Sequence, residues 1–274
     1  MSLGLSVVVP AFNEAELIGA SLEALVATLE SSGRAFEVIV VDDGSTDDTA
    51  AVVDRWASGD SRVRLVTLAR NRGKGRALET GCHAARGEIV VLLDADLEIP
   101  PDEVERLVSH LEAEDADLVV GSKYATRQSR WPLHRRLLSR AYQAVTAVLF
   151  RLPLRDTQTG IKAMRRSLAQ DVLPHVRSRR FAWDLEFVLL AHKAGRRTRA
   201  VPVRLEPTSR ASRVGIRGAL LAGVDTVRIF VRDRWLGSYA PVRRRAPRPP
   251  RVIVSGDDLG LTPSVNRGLV EAVA

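Results

Sequence analysis

The chain has 274 residues, 45% hydrophobic and 27% charged, with a net charge of +8, the proportions of a soluble globular protein holding one large core or two modest ones. Its one cysteine, Cys82, excludes an internal disulfide and fits a reducing compartment. No apolar run approaches the ~20 residues of a membrane-spanning helix and no basic-then-apolar leader opens the chain, so a cytoplasmic protein is expected.

The first expected strand is the apolar run Leu5–Pro10, followed by the loop Ala11-Phe12-Asn13-Glu14. From Ala15 to Leu29 apolar residues recur at helical spacing, at Leu17 and Ile18, Leu22, Leu25 and Leu29. Phe36–Val41 reads as a second buried strand ending at Asp42-Asp43-Gly44-Ser45. Thr46 or Asp47 is placed to cap a helix running to about Trp56. Arg64–Leu68 is a third strand, leading through Asn71-Arg72-Gly73-Lys74-Gly75 into a helix that ends near Arg86. Glu88–Asp94 is a fourth strand, Asp102–Glu112 a helix and Leu118–Ser122 a fifth strand. This alternation predicts an α/β fold: a Rossmann-like, mostly parallel central sheet with helices on both faces.

The fourth strand runs straight into chemistry, as Val90-Val91-Leu92-Leu93-Asp94-Ala95-Asp96-Leu97-Glu98. Asp94 and Asp96 share a parity, so an extended backbone points both to one side, and Glu98 joins them if the extension persists. Such carboxylates hold a hard divalent cation, Mg2+ or Mn2+, which in turn bridges a diphosphate. Taken alone, the pair reads first as a strand end that caps the helix starting near Pro101. Two further strand ends carry polar groups, however: Asn13 and Glu14 after the first, Asp42 and Asp43 after the second. Ligands of open α/β sheets sit at the carboxyl ends of the strands, so a cleft is expected there. Asp42 or Glu14 can accept hydrogen bonds from a base or ribose. Gly73-Lys74-Gly75 offers backbone N–H groups and a cation to phosphate, although alone it reads as a plain turn.

The charge is lopsided. Residues 1–121 carry 10 Lys+Arg against 23 Asp+Glu, and residues 122–274 carry 31 against 10. An acidic first half suits a metal-dependent site; a basic second half suits an anionic partner. Apolar residues from Leu133 to Leu149 form one helical stripe, and Ile216, Leu220, Val224, Val227 and Val231 form another, both edged with arginine. Stripes of this kind lie in a membrane interface or pack on their own core. Between them, Phe181–Ala194 is a helix carrying Asp184 and Glu186, and Ala200–Leu205 is a strand. Aromatic content is only 5% and no aromatic–basic surface stands out, so nucleic acid is not an expected partner.

Pro10-Ala11-Phe12-Asn13-Glu14, Asp42-Asp43-Gly44-Ser45-Thr46-Asp47 and Asp94-Ala95-Asp96, at these spacings, resemble the family 2 glycosyltransferases with the GT-A fold. Asn71-Arg72-Gly73-Lys74-Gly75, Gly121-Ser122-Lys123-Tyr124 and Asp156-Thr157-Gln158-Thr159-Gly160 narrow the resemblance to the dolichyl- or polyprenyl-phosphate sugar synthases, which use GDP-mannose or UDP-glucose. It covers roughly residues 4–235. The resemblance implies that Pro10, Asn13, Glu14, Asp42, Lys74 and Asp94 serve the nucleotide and that Asp94, Asp96 and Glu98 serve the metal and diphosphate. Glu98 stands where the family often has glutamine. Lys123 stands where many members have arginine in a G-S-R motif, which keeps the charge and loses the two-pronged phosphate grip. Arg135 or Arg136 matches a basic position that meets acceptor phosphate. Ser212-Arg213-Val214 resembles the family's S-K-L segment, which makes Arg210 and Arg213 phosphate candidates. Asp184 matches the general base of hydroxyl-acceptor relatives, and Asp156 is the other candidate; the plainer alternatives are a salt bridge for Asp184 and a loop or helix cap for Asp156.

The implied reaction is a single inverting displacement, with a polyprenyl phosphate oxygen attacking the sugar's anomeric carbon as the nucleotide diphosphate leaves. Asp96 joins Asp156 and Asp184 as the residues expected to matter most for turnover. D-T-Q-x-G-x-K resembles the glucosyl branch and favours UDP-glucose. Two alternatives stay open: a family 2 enzyme acting on a sugar hydroxyl, and a catalytically silent anion- or membrane-binding module. The enzyme is expected in the cytoplasm, peripheral on the membrane.

Residues 236–250 read as a Pro/Arg-rich linker. Beyond it, Arg251-Val252-Ile253-Val254-Ser255-Gly256-Asp257-Asp258-Leu259-Gly260-Leu261, with Asn266 and Gly268, resembles the opening strand and metal loop of a YdjC-type carbohydrate deacetylase. The rest of such a domain is missing from residues 251–274, so no deacetylase activity is expected and the chain reads as the front of a two-enzyme fusion.

Overall fold

A computed structural model describes residues 3–123, 133–152, 157–179, 182–206 and 216–239, with the helical backbone alone for 133–141 and 216–222. Seven strands form one sheet: β1 (Leu5–Ala11), β2 (Phe36–Asp42), β3 (Val63–Thr67), β4 (Ile89–Leu92), β5 (Leu118–Ser122), β6 (Lys162–Arg165) and β7 (Thr198–Pro202). Their order is β3-β2-β1-β4-β6-β5-β7. Every pairing is parallel except those of β6, which runs antiparallel to β4 and β5 on either side. The expected mostly parallel sheet is present, with one strand that periodicity did not reveal. Lys-Ala-Met-Arg has no apolar run; it becomes a strand because two neighbours satisfy its backbone at once.

Strand side chains alternate between two cores. Val8, Ile39, Val41, Val90 and Leu92 pack with α3 (Lys74–Ala84), α6 (Arg166–Val172), α7 (Trp183–Lys193) and the ends of α5 (Leu133–Phe150) and α8 (Ile216–Arg234). Val7, Val9, Val38, Val40, Ile89 and Val91 face the other way, onto α1 (Ile18–Ser31), α4 (Asp102–Ala113) and Val53 of α2 (Thr49–Gly59). Because both faces are covered, the central strands are largely apolar, with Ser6, Glu37 and Asp42 the buried polar residues of β1 and β2. Gly81 shows how closely α3 lies on the sheet: a Cβ there would stand 2.2 Å from Cγ1 of Val8.

Packed chain continues past the end of α8. Tyr239, which falls within the expected linker, is buried in the first core and donates its hydroxyl to Glu186. The rest of that linker and the deacetylase-like segment 251–274 lie outside the described residues, as do Asp156, Arg210 and Arg213.

Candidate active site

The carboxyl ends of β1, β2 and β4 meet at one edge, where Ala11 is in register with Asp42 and Val8 with Leu92. Pro10 lies within β1 opposite Val41. The loops after β1 and β2 are zipped together. Asn13 takes a positive φ of 54°, its amide donates to Ser45 Oγ at 2.9 Å, and its Oδ1 accepts from the Thr46 amide at 2.9 Å. The Glu14 amide donates to Thr49 Oγ1 at 2.8 Å. Asp42 is buried and accepts from the amide and hydroxyl of Ser45. Asn13 and Asp42 thus hold a rigid floor at the place expected to cradle the nucleoside.

The loop before α3 serves a different purpose from the one expected. The amides of Arg72 and Gly73 both donate to the Asp43 carboxylate at 2.8 Å, and the Gly75 amide donates to the Arg179 carbonyl at 3.0 Å. These N–H groups are spent on the fold, and the cation of the loop, Lys74, is turned to Asp94. Burial pushes the Asp43 carboxyl above the usual aspartate range despite the two amides.

Strand β4 stops at Leu92, and the acidic segment beyond it is a turn. The Leu97 amide reaches back to the Asp94 carbonyl at 3.2 Å, Leu97 sits at a φ of 48°, and Ser21 Oγ donates to the Ala95 carbonyl at 2.7 Å. The parity that was expected to align Asp94, Asp96 and Glu98 therefore ends before Asp94. Asp94 Oδ1 lies 2.5 Å from Lys74 Nζ, and Glu98 Oε2 lies 2.8 Å from Lys123 Nζ. Among the described residues no three His, Cys, Asp or Glu side chains converge as a metal cluster. Of the three carboxylates expected to serve a metal, Asp94 and Glu98 each pair with a lysine here, on either side of Asp96.

Asp96 is different. Burial raises its carboxyl above the usual aspartate range, and the charges of Asp94 and Glu98 raise it further. A divalent cation would relieve that crowding. Mg2+ and Mn2+ bind through one or two carboxylates completed by substrate phosphates and water, a donor set that Asp96 with Asp94 fits without Glu98. Burial alone would lower the Lys74 ammonium, but Asp94, Asp184 and Asp96 outweigh it and hold it above the usual lysine value.

Asp184 stands in the first turn of α7, buried, with Oδ1 2.6 Å from Nζ of Lys162. Lys162 was absent from the candidates drawn from sequence, although the D-T-Q-x-G-x-K pattern contains it. Gly160 of the same pattern packs on Asp94: a Cβ there would lie 2.4 Å from Asp94 Oδ2. Gln158 Nε2 donates to Tyr142 Oη at 3.2 Å, and Tyr142 Oη meets Thr226 Oγ1 at 2.8 Å, which ties the motif to α5 and α8. Arg135 and Arg136 lie in the first turn of α5, where only the backbone is described.

A family model described as glycosyl transferase family 2 matches residues 6–173. The chain belongs to this family. This family 2 chain is 38% identical over 205 residues to the glycosyltransferase AglD of Haloferax volcanii; the match covers 74% of this chain and 33% of AglD. A dolichyl-phosphate beta-glucosyltransferase of Trichomonas vaginalis is 31% identical over 237 residues, covering 82% of this chain and 70% of the relative. An undecaprenyl-phosphate 4-deoxy-4-formamido-L-arabinose transferase of Pseudomonas aeruginosa is 40% identical over 173 residues, covering 61% and 49%. The chain thus spans from a third to about two thirds of these relatives' lengths. Its family 2 fold is the GT-A fold of glucosyl-3-phosphoglycerate synthase from Mycobacterium tuberculosis, solved with Mn2+, UDP and glucosyl-3-phosphoglycerate; the TM-score is 0.64 at 21% identity, covering 83% of this chain and 78% of that one.

Proposed function

We propose that this chain transfers a hexose, with inversion, from a nucleoside diphosphate sugar to the phosphate of a polyprenyl or dolichyl lipid at the membrane surface. The observation that carries the reading is the acidic turn Asp94–Glu98, set between Lys74 and Lys123 at the carboxyl ends of β1, β2 and β4. This is a seat of alternating sign, suited to a diphosphate and its counter-ion. The relatives named for lipid phosphates, together with D-T-Q-T-G-I-K, support the acceptor class and favour UDP-glucose as donor.

In this reading Asp94 and Asp96 would hold Mg2+ or Mn2+, which when bound would supply positive charge against the departing nucleotide diphosphate. Lys74 adds a fixed ammonium on the same side. The floor made by Asn13, Asp42 and Ser45 orients the nucleoside. Lys123, with arginines of the basic second half, receives the acceptor phosphate, whose oxygen attacks the anomeric carbon while the bond to the diphosphate breaks. A phosphate nucleophile arrives already charged and needs little base assistance.

No helix among the described residues is long and apolar enough to cross a membrane. Val148 is 76% exposed, Trp235 80% and Leu236 65%, and Arg151, Arg228 and Arg234, near them in sequence, are exposed too. Exposed apolar side chains accompanied by exposed arginines support peripheral attachment to an anionic bilayer, where a lipid phosphate would be found.

The test is incubation with labelled UDP-glucose or GDP-mannose, Mg2+ or Mn2+, and undecaprenyl or dolichyl phosphate. Label in the lipid fraction is the expected result, and Asp96→Asn abolishes it. Transfer to saccharide alone would replace the acceptor, and failure to bind any nucleotide sugar would leave a silent module.

A further inference from the structure

Lysine is almost never fully buried, yet Lys162 is only 1% exposed and ranks among the largest enclosed side chains. Among the described residues its ammonium bonds Asp184 Oδ1 and the Thr159 carbonyl, each at 2.6 Å. Removing two charges from water costs about as much as their attraction returns, so stability alone does not account for a lysine here. A methionine would fill the same volume.

What the pair touches supplies the account. Lys162 opens β6 opposite Leu92, two residues before Asp94. Its bond to Thr159 closes a turn around Gly160, and Gly160 is the backbone that Asp94 Oδ2 lies against. The other oxygen of Asp94 is held by Lys74. Asp184 enters from α7, and its neighbour Trp183 packs so closely on Gly75 that a Cβ there would meet Trp183 Cβ at 2.6 Å. Asp184 and Asp94 both act on the Lys74 charge. Four charges therefore alternate, Asp94–Lys74–Asp184–Lys162, drawn from the starts of α3, β6 and α7 and the end of β4.

We infer that Lys162 and Asp184 form a buried positioning pair that fixes Asp94 for the donor diphosphate, and that Asp184 is not a general base. The inference rests on the donor site proposed above. It also has a consequence for the acceptor: with Asp184 committed to lysine, a nucleophile gains no base from α7, which favours one that arrives already charged.

The experiment compares Lys162→Met, Asp184→Asn and the double variant with the wild type. It measures Mn2+-dependent binding of UDP and GDP by calorimetry, and label transfer to lipid phosphate. Each single variant leaves a buried charge without its partner and loses about 10–100-fold in nucleotide affinity. The double variant, neutral at both positions, recovers to within about tenfold of wild type in binding and in kcat. If Asp184 is a base, Asp184→Asn and the double variant are equally dead in transfer, by about 100-fold or more, while binding is untouched; that result overturns the inference. So does unchanged nucleotide affinity in Lys162→Met. If the single variants do not fold, the double variant against wild type decides between the same two patterns. A wild type that binds nucleotide and labels no lipid removes only the acceptor reading. One that binds neither nucleotide removes the donor site and this inference with it.

Discussion

Replacing Gly160 with alanine puts a methyl carbon 2.4 Å from Oδ2 of Asp94 and 2.8 Å from its Cγ, where ordinary contact begins at 3.4 Å. Gly160 is not among the residues with positive φ, so the backbone accepts alanine and the clash falls wholly on Asp94. Strand β4 and the Ser21 bond to Ala95 hold the main chain in place, so the side chain must give way. The carboxylate retreats by about 1 Å, a misplacement that costs on the order of 100-fold in rate when the group positions a reacting bond. The loss should appear in kcat and in the Mn2+ concentration giving half-maximal rate, because Asp94 is assigned to the diphosphate and its cation. Stability should change little. Overpacking costs about 1–3 kcal/mol in a closed core, but the Asp94 side chain is 35% exposed and has room to move, and alanine recovers about 0.4–1 kcal/mol by restricting the unfolded chain. Initial rates across a Mn2+ titration, with a thermal melt on the same preparation, make the measurement. A Gly160→Ala variant that melts normally and transfers sugar within about threefold of wild type would refute the placement of Asp94 at the centre of the site.

The remaining predictions concern the frame around that site. Gly223 lies in α8, and a methyl group placed on its Cα would meet nothing within 4 Å; Gly223→Ala should raise stability by about 1 kcal/mol, seen as a higher melting temperature, and a fall would mean that this helix face is covered. Burial, with a smaller push from Glu79, raises the Cys82 thiol to about 12, so a disulfide reagent at pH 8 should label it only after urea is added; rapid labelling of the native protein would contradict the packing of α3. Burial alone would raise the Glu37 carboxyl, but Ser6, Arg86 and Arg64 together hold it below its ordinary 4.5. A depressed folded value means that Glu37 contributes stability above pH 4.5 and loses it as pH falls through the folded value. The gap in urea midpoint between wild type and Glu37→Gln should therefore be widest near neutrality and close in acid; a gap that stays constant would show that the ion pair with Arg64 is not the source.

The apolar runs at β1, β2, β4 and β5 were enough to place four strands, and the helix-spaced apolar residues of α1 to place a helix, because these patterns are local: a strand buried on both sides must be largely apolar along its own length. For the same reason the convergence of Asn13, Asp42 and Asp94 at one edge followed from strand order. Strand β6 was hidden because its four residues satisfy no local pattern, and only β4 and β5, distant in sequence, make it a strand. The turn at Asp94–Leu97 depends on Ser21 and on a positive φ at Leu97, neither of which a parity argument contains. Most of all, which cation each carboxylate meets is decided across long separations. Asp94 pairs with Lys74, Glu98 with Lys123 and Asp184 with Lys162, each from another element. Sequence determines which charges a chain owns; only the folded sheet brings a given lysine within 3 Å of a given carboxylate, and that proximity sets the electrostatic surroundings of each group.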